Sequence, residues 1–151
     1  MRNYCTLSDK NYLAKGLALY RSLVKYSTVP WNLDYLCLDQ ESYETLTRLN
    51  LPGLTAYSLT KLELSDERLR LARSNRPYNE YCWTLASHWL HISLPKYDLL
   101  TYVDSDIVFY DDPDKFFIEL GNASVGLTAH RHNTVGDRDG AYNVGVNKLQ
   151  K

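Results

Sequence analysis

The stretch that decides the fold is Leu99-Leu100-Thr101-Tyr102-Val103-Asp104-Ser105-Asp106, an apolar run that ends in two aspartates. Residues i and i+2 of a strand point to the same side, so these two carboxylates can reach one cation together where the strand ends. Mg²⁺ and Mn²⁺ prefer oxygen ligands, often one or two carboxylates completed by substrate phosphates and water. The stretch therefore predicts a metal-assisted reaction on a phosphorylated substrate, with Asp104 and Asp106 as metal ligands.

Strands and helices alternate along the chain. Apolar alternation predicts strands over residues 3–7, 31–38, 54–59, 97–103, 125–129 and 142–146. Helical spacing predicts helices over residues 11–26, 41–50, 61–73 and 78–94, and a short turn or helix after Asp112-Pro113. This order implies βαβ units, hence an α/β fold with a mostly parallel sheet flanked by helices. Ligands of such sheets bind beyond the carboxyl ends of the strands, which favours a functional interpretation of the two aspartates over solvated turn residues.

Length and composition fit one ordinary globular domain over residues 1–151. Hydrophobic residues make up 44% of the chain and charged residues 23%, and the formal net charge is −1 with no basic run. That charge argues against a nucleic-acid partner held through phosphate contacts. No apolar stretch is long enough to cross a membrane, and Met1-Arg2-Asn3-Tyr4 runs into a strand pattern rather than a signal peptide, so we expect a cytoplasmic protein.

The three cysteines, Cys5, Cys37 and Cys82, are widely spaced and odd in number. They form no CxxC pair, so the sequence predicts neither a zinc knuckle nor a disulfide framework. Because they fall in two predicted strands and a helix, we expect buried thiols in a reducing compartment.

Polar residues follow the first predicted strand, in Thr6-Leu7-Ser8-Asp9 and at Tyr12. Such a junction offers N–H groups, hydroxyls and an aromatic ring to a nucleotide. The alternative is plain capping of the next helix by Ser8 or Asp9. The sequence contains neither GxGxxG nor GxxxxGK[ST], which disfavours a Rossmann dinucleotide site and a P-loop.

Two later segments leave alternatives open. His130 and His132 share a face if extended and could bind metal, but surface or core histidines are the commoner explanation. Asn143 and Gly145 interrupt an apolar strand, which indicates close approach of a backbone or ligand, or else a β-bulge.

Five blocks together resemble the GT-A class of nucleotide-sugar glycosyltransferases, close to the family-8-like bacterial enzymes. The segment over residues 97–106 carries the most specific part of the resemblance, and the opening segment over residues 4–9 is second. The other blocks are Tyr81-Cys82-Trp83-Thr84-Leu85, Ala129-His130-Arg131-His132 and Tyr142-Asn143-Val144-Gly145.

The resemblance implies a donor site for a nucleotide-diphosphate sugar, commonly a UDP-sugar, and an unknown glycan, lipid or protein acceptor. Mn²⁺ or Mg²⁺ would bridge the two phosphates, bound by Asp106 and Asp104, and Asp104 would also touch the ribose. Asn143 and Thr84 would contact the sugar. The implied nucleotide contacts are Thr6, Ser8, Asp9, Tyr12 and Asp104.

Members of this class continue well beyond the block around Asn143, so we expect a donor-binding portion that is incomplete at its C-terminus. Two other functions stay open. One is a phosphatase of the haloacid dehalogenase type, in which an apolar strand also ends in DxD and the first aspartate, here Asp104, is the nucleophile. The other is a truncated, non-catalytic fragment that binds nucleotide.

Overall fold

The computed structural model describes residues 1–129 and 142–150. Its strands are β1 (Arg2–Ser8), β2 (Trp31–Cys37), β3 (Leu54–Ser58), β4 (Leu99–Val103), β5 (Val125–Ala129) and β6 (Tyr142–Gln150). Its helices are α1 (Leu13–Tyr26), α2 (Gln40–Leu49), α3 (Leu59–Ser65), α4 (Glu67–Asn75), α5 (Tyr78–Ser93) and α6 (Asp114–Leu120), with a 3₁₀ turn at Leu94–Lys96. None of the described helices is long and apolar enough to span a bilayer.

The six strands form one sheet in the order β3-β2-β1-β4-β6-β5. The first four in this order are parallel, and β6 runs antiparallel to both β4 and β5. The predicted α/β fold with a mostly parallel sheet is therefore confirmed. Because β1 and β4 are neighbours and parallel, their carboxyl ends lie side by side, and the polar residues after each strand meet there.

Helices cover both faces of the sheet. On one face α5 packs Leu85 and Trp89 against the strands, with α3 and α4 beside it. On the other face α1 contributes Leu19 and Leu23, and α2 and α6 pack on the same side. Burial of this apolar surface is the main favourable contribution to folding.

The cysteines follow the prediction in part. Cys5 and Cys37 are buried free thiols on opposite faces of the sheet, and burial raises the pKa of each. Cys82 is also a free thiol but is only half-buried, because it lies at the edge of the core-facing side of α5.

The single helix predicted over residues 61–73 is wrong, because the chain forms two helices that meet at Asp66. The backbone N–H of Asp66 closes α3 on Leu62, while its carboxylate accepts the N–H of Arg68 at 2.9 Å and caps α4. A carboxylate in that position satisfies a free donor of the first turn, so it favours a new helix start.

The predicted strand over residues 97–103 is shorter in the structure and begins at Leu99. Tyr97 instead donates its hydroxyl to Asp34 of β2 at 3.0 Å, and the Lys96 ammonium lies 3.7 Å from the same carboxylate. Asp34 is 3% exposed, and burial raises its pKa despite these partners. Beyond the predicted end of the last strand, β6 continues to Gln150 by pairing with β4 as far as Leu99, and buried Lys148 donates to the carbonyls of Gly121 and Ala123.

Candidate active site

A cavity of about 590 Å³ opens where β1 and β4 end. The residues after these strands form its floor, α5 forms one wall and β6 forms another. Its lining includes Ser8, Asp9, Tyr12, Tyr78, Asn79, Trp83, Ser87, Leu90, Tyr102, Asp104, Asp106, Val144 and Asn147. Size and concave shape both fit a small-molecule site.

Asp104 is held by three hydrogen bonds. Its Oδ1 accepts the hydroxyl of Tyr102 at 2.8 Å, its N–H donates to the carbonyl of Gly145 at 2.7 Å, and its carbonyl accepts the N–H of Ile107 at 3.0 Å. Burial raises the pKa of Asp104, the Tyr102 hydrogen bond lowers it, and the charge of Asp106 raises it again. Burial, followed by the charge of Asp104, also raises the pKa of Tyr102, so this phenol remains a donor.

Gly145 leaves room for that carboxylate. A Cβ at this position would lie 3.1 Å from Oδ2 of Asp104 and 2.9 Å from Oδ1 of Asn143. The Asn143 Oδ1 accepts the N–H of Gly145 at 2.7 Å, which fixes the backbone there. In the pairing of β5 with β6, Leu127 lies opposite Asn147 and the next residue, Thr128, lies opposite Asn143. The β6 residues between Asn143 and Asn147 therefore form a bulge. The sequence left open a close approach of backbone or ligand at Asn143 and Gly145, or else a β-bulge. The structure shows a bulge that itself brings the backbone of Gly145 close to Asp104.

Asp106 is freer than its neighbour. Its side chain is 46% exposed, and the Lys15 ammonium lies 3.9 Å from Oδ2. The same ammonium lies 4.0 Å from the centre of the Tyr12 ring. Ser105, between the two aspartates, is buried. One carboxylate is thus fixed and the other can adjust to a ligand.

The two aspartates fit a hard cation that takes its other ligands from phosphate and water. In residues 1–129 and 142–150 no group of three or more histidine, cysteine or acidic side chains could enclose a metal by itself. The space kept open by Gly145 beside Oδ2 of Asp104 is consistent with an approaching ligand. His130 and His132 lie outside the described residues.

The exit of β1 is organised by Asp9. Its Oδ1 accepts the N–H groups of Asn11 and Tyr12 at 3.0 and 3.2 Å, and its Oδ2 accepts the hydroxyl of Tyr78 at 3.1 Å. The Ser8 hydroxyl points elsewhere and pairs with the hydroxyl of Tyr35 at 2.6 Å. Of the two candidate caps, Asp9 therefore holds the turn that leads into α1, and the ring of Tyr12 is left exposed at the cavity.

Three predicted contacts stand apart from the cavity lining. Thr6 is fully buried in β1, with no partner for its hydroxyl in the part of the chain that is described. The Thr84 hydroxyl donates to the carbonyl of Glu80 at 2.9 Å and accepts from Arg76. Asn143 reaches the site through its bond to Gly145. The structure thus brings Ser8, Asp9, Tyr12, Asp104 and Asp106 to one cavity. It leaves Thr6, Thr84 and Asn143 outside the cavity lining.

Tyr78, Trp83 and Tyr102 also line the cavity, although the sequence did not predict them as site residues. Helix α5 buries Tyr81, Leu85 and Trp89, which lie four residues apart on one face. Trp83 is two residues from Tyr81, and so about 200° away around the helix. That offset was the signal in the sequence that Trp83 faces away from the core.

Curated proteins similar to this chain are longer. It is 33% identical to the uncharacterized protein YfnD of Bacillus subtilis (strain 168) over 150 residues, which cover 95% of this chain and 47% of YfnD. It is 31% identical to YfnF of the same strain, covering 83% of this chain and 41% of YfnF. A probable galacturonosyltransferase-like 4 of Arabidopsis thaliana is 27% identical, with 82% and 37% covered. The chain therefore spans less than half the length of these relatives, and no family model matches it.

Solved structures with the same architecture are glycosyltransferases. Mouse xyloside xylosyltransferase 1 superposes with a TM-score of 0.68 at 18% identity, covering 99% of this chain and 67% of the enzyme. The galactosyltransferase LgtC gives 0.62 at 15% identity, with 98% and 57% covered. GlyE of Streptococcus pneumoniae gives 0.57 at 16% identity, with 99% and 34% covered. These matches do not favour a dehalogenase-type phosphatase. The described sheet and its flanking helices therefore have the fold of the GT-A glycosyltransferases.

Proposed function

We propose that this chain provides the donor site of a glycosyltransferase that moves a sugar from a nucleotide-diphosphate sugar, most simply a UDP-sugar, to a glycan, lipid or protein acceptor. One observation carries the proposal: Asp104 and Asp106 share a cavity with the polar exit of β1. The fold of the solved glycosyltransferases supports sugar transfer as the reaction class.

The two aspartates would divide the work. Oδ1 of Asp104 is occupied by Tyr102, whereas Oδ2 accepts no hydrogen bond from any described residue, so it can take a ribose hydroxyl or one metal position. Exposed Asp106 can turn both oxygens towards a cation. A bound Mn²⁺ or Mg²⁺ would supply Lewis-acid stabilisation of the charge that develops on the departing nucleoside diphosphate.

The other end of the cavity suits the nucleoside. Asp9 receives hydrogen bonds from two backbone N–H groups and from Tyr78, so its position is fixed before a ligand arrives. The exposed Tyr12 ring offers a flat face for a base, and aromatic pairs of this kind contribute about 0.5–1.5 kcal/mol beyond area burial. The Lys15 ammonium, between that ring and Asp106, is a positive charge on the side where a diphosphate would lie.

The test is calorimetric titration of the purified chain with UDP, GDP and ADP, each with and without Mn²⁺. We expect selective binding of UDP that depends on Mn²⁺, and we expect Asp106→Asn to remove the Mn²⁺-dependent part. The matched control is Asp111→Asn, because Asp111 is an exposed aspartate paired with Lys115 outside the cavity. A cooperatively folded protein that binds no nucleotide, or binds UDP equally well in EDTA, would contradict the proposal.

A further inference from the structure

The fold leaves the aromatic side chain of Trp83 largely exposed. It is 68% exposed, whereas Trp89 on the same helix is 2% exposed. It lines the cavity together with Asp104 and Asp106. We propose that the indole of Trp83 is a stacking platform for a pyranose ring bound in this cavity. This inference rests on the proposed function and names the residue that contacts the ring of the sugar.

The helix geometry keeps Trp83 out of the core. The buried face of α5 includes Tyr81, Leu85 and Trp89. Trp83 lies about 200° from Tyr81 around the helix axis. Ser87 and Leu90, one and two turns further on, also line the cavity. One side of α5 therefore anchors the helix to the sheet while another forms the cavity wall.

The indole also lacks a partner within the described residues. It makes no aromatic or cation–π contact there, and its Nε1–H has no acceptor. Of the two other exposed aromatic residues of the cavity, Tyr78 donates its hydroxyl to Asp9 and Tyr12 is the ring proposed for the base, which leaves Trp83 for a sugar. Leaving a large indole in water forgoes hydrophobic stabilisation, which a bound ligand can recover.

A pyranose ring matches these surroundings. One face of the ring presents C–H groups with slight positive charge, which complement the negative face of an aromatic system. Its rim of hydroxyls needs polar partners, and Asn79, Ser87 and Asn147 line the same cavity. Asn147 donates to the Val144 carbonyl, and its Oδ1 has no hydrogen-bond donor in the described part of the chain.

The ring can belong to the donor or to the acceptor, and two sets of ligands separate these sources. Calorimetry in Mn²⁺ compares UDP with UDP-glucose, UDP-galactose and UDP-N-acetylglucosamine for the donor. Calorimetry with methyl glucoside, methyl galactoside and methyl xyloside, in the presence of UDP and Mn²⁺, tests the acceptor. The variants are Trp83→Ala, which removes the platform, and Trp83→Phe, which keeps a flat ring. Leu64→Ala is the control, because Leu64 is 73% exposed on α3 outside the cavity.

For a donor sugar, we expect Trp83→Ala to weaken the best UDP-sugar about tenfold, or about 1.4 kcal/mol, while UDP binding changes less than twofold. Trp83→Phe should keep most of the affinity, and Leu64→Ala all of it. For an acceptor sugar, a glycoside should bind the wild type and lose its binding in Trp83→Ala, while Leu64→Ala binds it as the wild type does. The inference is overturned if UDP binds but no sugar ligand depends on Trp83. If UDP does not bind, the proposed function fails separately, and the calorimetric glycoside titration without nucleotide decides: Trp83-dependent glycoside binding supports the platform and its absence refutes it.

Discussion

Replacing Gly145 by alanine places a methyl group against the carboxylate of Asp104. The new Cβ would lie 3.1 Å from Oδ2 of Asp104 and 2.9 Å from Oδ1 of Asn143, where ordinary contacts begin at 3.4 Å. The two side chains must therefore retreat by about 0.3 and 0.5 Å. Asp104 cannot retreat freely, because Tyr102 holds its Oδ1 at 2.8 Å and Gly145 itself accepts its N–H at 2.7 Å.

Two costs follow from this crowding. Inserting a methyl group into a packed site costs about 1–3 kcal/mol of stability. A hydrogen bond to a charged group contributes about 1.5–3 kcal/mol, so weakening the Tyr102 bond displaces Asp104 at a comparable cost. If half of that hydrogen-bond cost of about 1.5–3 kcal/mol appears in ligand binding, UDP affinity in Mn²⁺ should fall by about three- to twelvefold, since each 1.4 kcal/mol is a factor of ten.

The assay pairs urea denaturation with calorimetry of UDP in Mn²⁺, and Gly126→Ala is the control. Gly126 lies on neighbouring β5, and a Cβ there would lie 2.2 Å from the flexible Leu120 side chain, away from the cavity. We expect both variants to lose stability and only Gly145→Ala to lose affinity. Equal UDP affinity in Gly145→Ala and wild type would refute the idea that Gly145 keeps the binding position of Asp104 open.

Three further substitutions test other parts of the description. Tyr102→Phe removes only the hydroxyl on Asp104 and should weaken Mn²⁺-dependent UDP binding several-fold in calorimetry; unchanged affinity would mean that this bond does not position the carboxylate. Tyr12→Ala should weaken UDP binding while leaving its Mn²⁺ dependence intact. Loss of that dependence would contradict the idea that Tyr12 contacts only the uracil base. For Asp34, burial raises the pKa, so between its ordinary value near 4 and the raised value the folded state holds a proton that the unfolded chain has lost. Wild-type stability should therefore fall relative to that of Asp34→Asn as pH rises through this window, and a difference in urea midpoints that does not change with pH would disprove the shift.

Local sequence signals predicted the alternation of strands and helices well, because each element carries its own periodicity. The break at Asp66 was missed because the surrounding residues continue a helical pattern, and only the cap geometry at that carboxylate separates α3 from α4. The extension of β6 to Gln150 was missed for a different reason. A lysine in a sequence is normally predicted to be solvent-exposed. Only the tertiary structure supplies the two carbonyls that accept hydrogen bonds from the buried ammonium of Lys148.

In the candidate site too, residues marked by a local sequence pattern were predicted and residues placed by tertiary contacts were not. Asp104 and Asp106 were found because an apolar strand directly before two carboxylates is a local pattern. Tyr102 was treated as part of that strand, and nothing in its spacing shows that its hydroxyl meets Asp104 across the strand end. Trp83 was treated as one of several helical apolar residues, although its phase relative to Tyr81 distinguishes it. Polar groups that meet through tertiary contacts, such as Tyr78 and Asp9, leave no trace in either local pattern.

The neighbours of β1 in the sheet also bear on how quickly the cavity can appear as the chain folds. Tyr4 pairs with Leu33 on one side, which is close in sequence, and with Thr101 on the other, which requires closure of a much longer loop. Loop closure costs entropy before the contacts reward it, and topologies rich in distant pairings fold slowly. The first three strands can therefore assemble early, whereas the cavity forms only when β4 docks on β1. In refolding, nucleotide binding should therefore return with the slowest major phase rather than with the first gain of helical signal.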